Sequence, residues 1–523
     1  MLHGHALMEA QPHYLCVSMD IYPILPTAVL ILIVFYFLWR SKHSRATVLF
    51  RLPPGPPAWP IVGNLFQLGK KPHESLHALS LQYGPLITLR LGMRTTVVAS
   101  SPAMAKEILK THDHALAGRT VIETAKALSH HKTSMIWGEY GPHWRHLRRI
   151  SAVELFSPTR LQALQPLRRD QVFHTIRLIF EERGKAVNIG NMAFYTSVNL
   201  LGNMVFSSNL FDPHKPASVG FKDTIRKIMK LGGTPNLADY FPFLGFLDPQ
   251  GLRRQTAKYM KGIYDFFDLL IQERLAARSK NLQKKDSEKD FLDVLLDFRS
   301  EDFTLVGVRA LIAELFIAGT ETTTTTIEWV IAEFIRNPQK MQKVQRELDE
   351  MVGGNRRVEE SDLDRLSYLH AAVKEIFRLH PTAPLLLPHK AESSCEIEGF
   401  VIPKDSQVMV NVWAMGRDPA IWKNPLEFIP ERFLEGENGK MDYKGQNFEL
   451  IPFGAGRRIC VGLPLANRMV HLVVASLLHS FQWTLPNEMR CEEMDMSDEF
   501  GITLKKVIEL NAIPMPRLPH HIY

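Results

Sequence analysis

The sequence predicts a mainly α (α+β) protein: one large helical body with small β-sheets, preceded by a single N-terminal transmembrane helix. Three observations predict it. Residues 21–39, "IYPILPTAVLILIVFYFLW", are 19 consecutive uncharged residues. Helical apolar patterning fills most of 159–285, then 305–336, the stretch onward to 379, and 463–483. Strand patterning is confined to short segments bounded by glycine and proline.

Taken in order, residues 1–20 form a short N-terminal segment without a pattern of its own, and Met19 is the expected true start. Residues 21–39 would span roughly 28 Å as a helix, close to the hydrocarbon thickness of a bilayer. Pro23 and Pro26 fall near its start, where a missing N–H costs least. A cleaved signal peptide is the competing reading, but the run is followed by "RSKHSR" rather than small residues. Arg40, Lys42, Arg45 and Arg51 follow the span, which places the body in the cytosol. Residues 40–64 form a basic, proline-rich connector with five prolines between Pro53 and Pro60, read as a stiff extended segment.

The body covers 65–523. It opens with a strand pair over 86–100 and a helix over 102–112. Residues 279–290 are a charged, solvated loop, and 305–336 a long helix. Short strands occupy 394–415, irregular loop 435–449 and an apolar helix 463–483, and a last strand pair closes the chain.

With 45% hydrophobic and 22% charged residues, the chain has ordinary globular composition. Its net charge of +7 suits a membrane surface or an acidic protein partner. No basic run is interleaved with aromatics, so nucleic acid is not an expected partner. Only four cysteines occur, Cys16, Cys395, Cys460 and Cys491, too few and too scattered for a disulfide framework. No C-x-x-C pair is present, and no zinc site is expected.

Cys460 stands out because of its surroundings, "PFGAGRRICVG" at 452–462. The apolar helix begins just after it, so free N–H groups and the helix dipole favour a thiolate. Gly456 and Gly462 would let the backbone approach something flat, and Arg458 could pair with acidic groups on it. A nucleophile would need a base that this loop lacks, whereas a metal needs only the protected thiolate. An inert buried thiol is the commoner state of a lone cysteine.

Three further patterns are weaker alone. "AGTETT" at 318–323 puts Glu321 and Thr322 in the long helix, where a threonine hydroxyl can bond back to a carbonyl one turn earlier. "KEIFRLHP" pairs Glu375 with Arg378 at i, i+3. "WRHLRR" sets Trp144 and Arg148 one turn apart.

Together these motifs resemble the cytochrome P-450 superfamily over essentially the whole chain. Phe453, Gly456, Arg458, Cys460 and Gly462 match its haem signature F-x-x-G-x-R-x-C-x-G at every fixed position. The resemblance implies a single haem-thiolate monooxygenase fold over 65–523, binding haem b with Cys460 as axial ligand. It implies that Thr322 and Glu321 deliver protons during O₂ activation. It implies that Trp144, Arg148, His389 and Arg458 face the propionates, and that Glu375, Arg378 and Arg432 form a structural network. By motif position, Val121, Leu315, Ala318, Leu386 and Ile502 would wall the substrate pocket. All five are apolar, so a small hydrophobic substrate is expected. Glu314, one turn before Ala318, would meet either a substrate amine or a neighbouring helix.

The implied setting is the endoplasmic reticulum membrane, single-pass, with a membrane-bound NADPH-cytochrome P-450 reductase as partner and Arg149 and Arg457 as contacts. "NLADYFPFLGFLDPQGLRR" at 236–254 is similar to the plant branch containing geraniol and other terpenoid hydroxylases. A neighbouring branch oxidises or couples benzylisoquinoline alkaloids. A reductase-independent haem isomerase would ordinarily lack Thr322, and a non-catalytic haem-binding membrane protein would need no Glu321/Thr322 pair.

Overall fold

The computed structural model describes residues 51–213, 216–280, 289–299 and 303–523. The expected start at Met19, the 21–39 span, its basic flank at 40–45 and the centre of the charged 279–290 loop lie outside the described residues. Leu52–Tyr523 forms one compact unit. No helix among the described residues is long and apolar enough to cross a membrane.

The Leu305–Arg336 helix is the axis of the body, with the boundaries the sequence predicts. It is buried around nearly its whole circumference, as an all-round apolar helix must be. Helices Ile189–Phe206, Leu252–Ser279, Ser367–Leu379 and Leu463–Ser480 pack against it. It stops at Asn337, whose φ −121, ψ 75 is the extended geometry that Pro338 imposes on its predecessor. Leu463–Ser480 starts with Pro464 in its first turn, where proline is pre-set for helix.

The largest sheet has five strands in the order Leu86–Leu91, Arg94–Ala99, Gln407–Val410, His389–Lys390, Gly118–Arg119. The first pair is antiparallel with Leu86 opposite Ala99, and Arg94–Ala99 runs parallel to Gln407–Val410. Arg119 pairs with His389, which brings two polar side chains to one place. A three-stranded sheet joins Val187–Asn188, Asn511–Pro516 and Phe481–Thr484.

Three local expectations change. Residues 52–58 have no helix or turn and 59–64 form a turn, and both belong to the body: Thr88 N–H donates to Pro54 O (2.8 Å) and Asn64 N–H to Arg90 O (2.6 Å). Gly55 permits this, because a Cβ there would lie 1.9 Å from Thr88 O. Val412–Met415 is helical, since Asn411 Oδ1 caps it by accepting from Ala414 N–H (3.1 Å). Phe481–Thr484 leaves the preceding helix as a strand because its alternating burial fits the pleat.

Two buried histidines make stability acid-sensitive. Burial pulls His73 down to about 4 and His471 to about 3, from an ordinary 6.5. The unfolded chain therefore binds more protons than the native one below about pH 6.5, so stability falls as pH drops from there towards 4. Thermal unfolding followed against pH should show this slope, and H471L should flatten part of it.

Candidate active site

A cavity of about 390 Å³ lies between the central helix and the loop that carries Cys460. Leu315, Ala318, Gly319 and Thr322 line it from the helix, and Phe453, Arg458, Cys460 and Gly462 from the loop. Leu386 and Ile502 add apolar wall.

The loop is pinned by Cys460 N–H donating to Phe453 O (2.9 Å), while the Phe453 ring packs edge-on to Phe377 at 5.3 Å. Cys460 lines the cavity and is accessible from it. Burial pushes its thiol up, against the pull of the Gly462 N–H, the Arg148 guanidinium and the Leu463 N–H. A cation set against the sulfur would complete the case for a thiolate. Cys395 and Cys491 do not line the cavity.

Beside the sulfur stand three arginines with no carboxylate in ion-pair range among the described residues. Arg458 donates Nε–H to Ala117 O (2.9 Å) and Nη2–H to Gly138 O (2.8 Å), and its buried Nη1 has no partner. Arg119 donates to Ile136 O (3.2 Å) and Leu387 O (2.7 Å). Burial lowers Arg119 to about 9 and Arg458 to about 10, and pulls Arg148 down as well. Buried, unpaired cations are costly unless an anion meets them. Together with a free sulfur, that donor set fits a flat metal complex carrying two carboxylates, as haem does. Arg119 escapes motif reading; its only sequence signal is a lone charge inside the apolar run "ALAGRTVI".

Several expected roles move. Trp144 lines the cavity, but its indole N–H donates to Met135 O (2.9 Å), so it offers no donor to a propionate. It serves instead as a π platform, with Arg458 at 4.5 Å and Arg148 at 5.9 Å from its ring centroid. His389 reaches the cavity, yet Nδ1 bonds Leu116 O (2.7 Å), and burial with Arg119 holds it down to about 3. A neutral ring in that tautomer presents Nε2 as an acceptor, unsuited to a carboxylate. Gly456 does not face the cavity: its φ is +65, and a Cβ would sit 1.8 Å from Leu109 O. Glycine is needed there for packing against the Glu107–Thr111 turn.

Thr322 Oγ1 donates to Ala318 O (2.7 Å), as expected, and faces the cavity. Glu321 does not line the cavity. Successive helix residues differ by about 100°, so it lies on the adjoining stripe, 2% exposed, with Oε2 unpartnered. Val121 does not line the cavity either; Ile122 takes its place where the chain turns into the Glu123–Lys132 helix. Arg149 is exposed, whereas Arg457 is paired with Asp113 (3.1 Å) and Tyr140 Oη (2.8 Å).

Glu375, Arg378 and Arg432 do form one network. Arg378 is bidentate on Glu375 (2.7 Å for each bond), and Arg432 Nε–H reaches Glu375 Oε1 at 3.0 Å. Residues 73–77 read H-E-S-L-H, a zinc-type spacing that the expectation of no zinc site overlooks. His73, Glu74 and Asp498 do cluster, but Lys71 Nζ already meets Asp498 (2.7 Å) and Glu74 (3.0 Å), and His77 packs on Trp413 instead.

A cysteine sulfur and a helix hydroxyl that face one cavity, beside arginines without ion-pair partners, fit a haem-thiolate oxidoreductase. The family model described as "Cytochrome P450" matches residues 53–508. Cytochrome P450 76T24 of Catharanthus roseus is 44% identical over 93% of this chain and 99% of its own length. Cytochrome P450 76C2 of Arabidopsis thaliana is 44% identical over 95% and 98%. (S)-N-methylcoclaurine 3'-hydroxylase isozyme 2 of Eschscholzia californica is 42% identical over 96% and 100%. The chain belongs to the cytochrome P450 family: it is a monooxygenase that binds haem b through an axial cysteine thiolate.

Proposed function

We propose that Cys460 supplies that thiolate and that the enzyme uses NADPH and O₂ to hydroxylate a small hydrophobic terpenoid. The observation that carries this reading is that Cys460 Sγ and Thr322 Oγ1 face one cavity whose remaining helix and loop walls are largely apolar. Haem, when bound, supplies one-electron and O₂ chemistry, with the thiolate favouring O–O cleavage.

The chain's own residues do the rest. Arg119, Arg148 and Arg458 hold the two propionates, and Trp144 supports the last two guanidinium groups. Thr322 keeps its proton on Ala318 O and turns lone pairs to the cavity; rotation about χ1 frees that proton for the reacting centre. Glu321, buried on the next stripe with Oε2 unpartnered, is the neighbouring acid from which that proton would be resupplied. Leu315, Ala318, Leu386, Ile122 and Ile502 exclude water and orient an apolar substrate.

Electrons arrive from the membrane-bound NADPH-cytochrome P-450 reductase, with exposed Arg149 among its contacts, and residues 21–39 anchor the body to the endoplasmic reticulum. An exposed apolar face supports contact with lipid. Trp59, Phe66, Met93, Phe243 and Phe246 are all exposed, and their segments are tied together by Gly92 N–H to Val62 O (3.1 Å) and Met93 N–H to Tyr240 O (2.9 Å).

One observation favours a second substrate class. Besides the 76-series relatives, proteins named for N-methylcoclaurine 3'-hydroxylation, from Coptis japonica and Eschscholzia californica, are 44% and 42% identical to this chain. A difference-spectrum screen of terpenoid alcohols against benzylisoquinolines separates the two. Binding spectra from alkaloids alone would overturn the terpenoid reading. T322A should raise NADPH consumption per product several-fold while T322S stays near wild type; full coupling in T322A would remove Thr322 from proton delivery.

A further inference from the structure

We propose that Glu314 is a positioning residue for the haem carboxylates, acting through the loop at 134–138 rather than touching substrate. The inference rests on the reading that Arg119 and Arg458 hold the propionates.

Glu314 sits on the central helix one turn before Ala318, 3% exposed at the cavity wall. Three donors converge on its carboxylate, the Ser134 hydroxyl, Met135 N–H (2.8 Å) and Ile136 N–H (3.4 Å), and His130 Nε2 stands 3.1 Å from Oε1. Ser134 and Ile136 meet Oε1 and Met135 meets Oε2, so the carboxylate is tied to this loop through both oxygens.

The loop relays what Glu314 holds. Ile136 N–H points to Glu314, and the carbonyl of the same peptide, Met135 O, accepts Trp144 Nε1–H at 2.9 Å. Ser134 Oγ, while donating to Glu314, accepts Trp137 N–H at 2.7 Å. The carbonyl of that next peptide, Ile136 O, accepts Arg119 Nε–H at 3.2 Å. Gly138 N–H returns to Ser134 O (3.1 Å), and Gly138 O accepts Arg458 Nη2–H at 2.8 Å. Two of these peptides therefore lie with N–H towards a carboxylate or its bonded hydroxyl and C=O towards an arginine or an indole. Each dipole is favourable at both ends, and each bond polarises the next. Removing the charge at 314 slackens the whole set, so the guanidinium groups lose the fixed aim that carboxylate binding requires.

The test compares purified holoenzymes E314Q, S134A and R458Q with wild type in three measurements. These are haem transfer to excess apomyoglobin, the propionate bending modes in resonance Raman, and the melting temperature. R458Q should release haem roughly ten-fold faster, as expected when a cofactor's support is removed. E314Q should do so comparably and shift the propionate modes, with S134A moving both in the same direction by less. E314D should restore the modes. Unchanged release in R458Q would overturn the propionate reading itself. R458Q accelerated while E314Q and S134A keep wild-type release and modes would overturn the role of Glu314 alone. A lowered melting temperature without a mode shift also overturns it, since a merely structural acid would do only that. If E314Q fails to fold, S134A decides by the same criteria.

Discussion

C460A is expected to abolish turnover and the red-shifted Soret band that the reduced, carbon-monoxide-treated enzyme should show, while C395A and C491A keep both. The prediction separates the three described cysteines by environment. Cys491 Sγ lies at the surface against Glu492 Oε1 (3.1 Å), which pushes its thiol up, and it does not line the cavity. Cys395 sits in the Cys395–Ile397 strand with burial as the one influence on its thiol, again upward. At Cys460 burial is opposed by two backbone N–H groups and Arg148. The arginines are untouched in C460A, so haem should still enter, held by its carboxylates and without the sulfur's electron donation. A variant that binds haem yet lacks the thiolate band separates ligation from folding. Retention of the band in C460A would transfer the ligand to another cysteine.

What the sequence displays and what it hides divide along physical lines. Features held by short-range chemistry are legible. The boundaries of Leu305–Arg336 follow from apolar patterning and from Pro338, and the Cys460 loop follows from fixed spacing. The Glu375–Arg378 pair is local to one helix. Features that arise when distant segments meet are not legible. Arg119 and His389 are opposed across a sheet pair 270 residues apart (389 − 119), which no spacing reveals. Gly456 reads as cofactor clearance but answers to Leu109 O, more than three hundred residues earlier in the chain. Trp144 looks like a ligand contact in sequence and bonds the 134–138 loop instead; Glu314, which in sequence could meet a substrate amine or a neighbouring helix, bonds that same loop. Misplacing Val121 by one residue is a register error at a turn, where neighbouring side chains diverge and motif position resolves only the segment.

E375Q is expected to cost about 3–5 kcal/mol of stability, the range for stripping one partner from a buried ion pair. Glu375 and Arg378 side chains are both 0% exposed, and Arg432 is 7% exposed, so water cannot replace a lost partner. Glu375 Oε1 also accepts Ile429 N–H at 2.8 Å, which ties the segment before Pro430–Phe433 to the helix. Arg378 is committed further: beyond its bidentate grip it donates to Gly416 O, Pro425 O (2.7 Å) and Glu427 O (3.0 Å). The amide in E375Q keeps the volume but turns an N–H₂ towards guanidinium and backbone donors, leaving two arginines facing a neutral group. R378K should fare no better, because an ammonium cannot span a carboxylate and three carbonyls in fixed directions. The network lies in the Ser367–Leu379 helix, whose Phe377 packs against Phe453 in the Cys460 loop, so the loss should reach the haem. Denaturant unfolding and haem content measured together should fall in both variants, and R432A, which removes a single bond to Glu375 rather than the bidentate pair, should lose less. Stability within about 0.5 kcal/mol of wild type in E375Q would show the pair to be dispensable, as surface substitutions are.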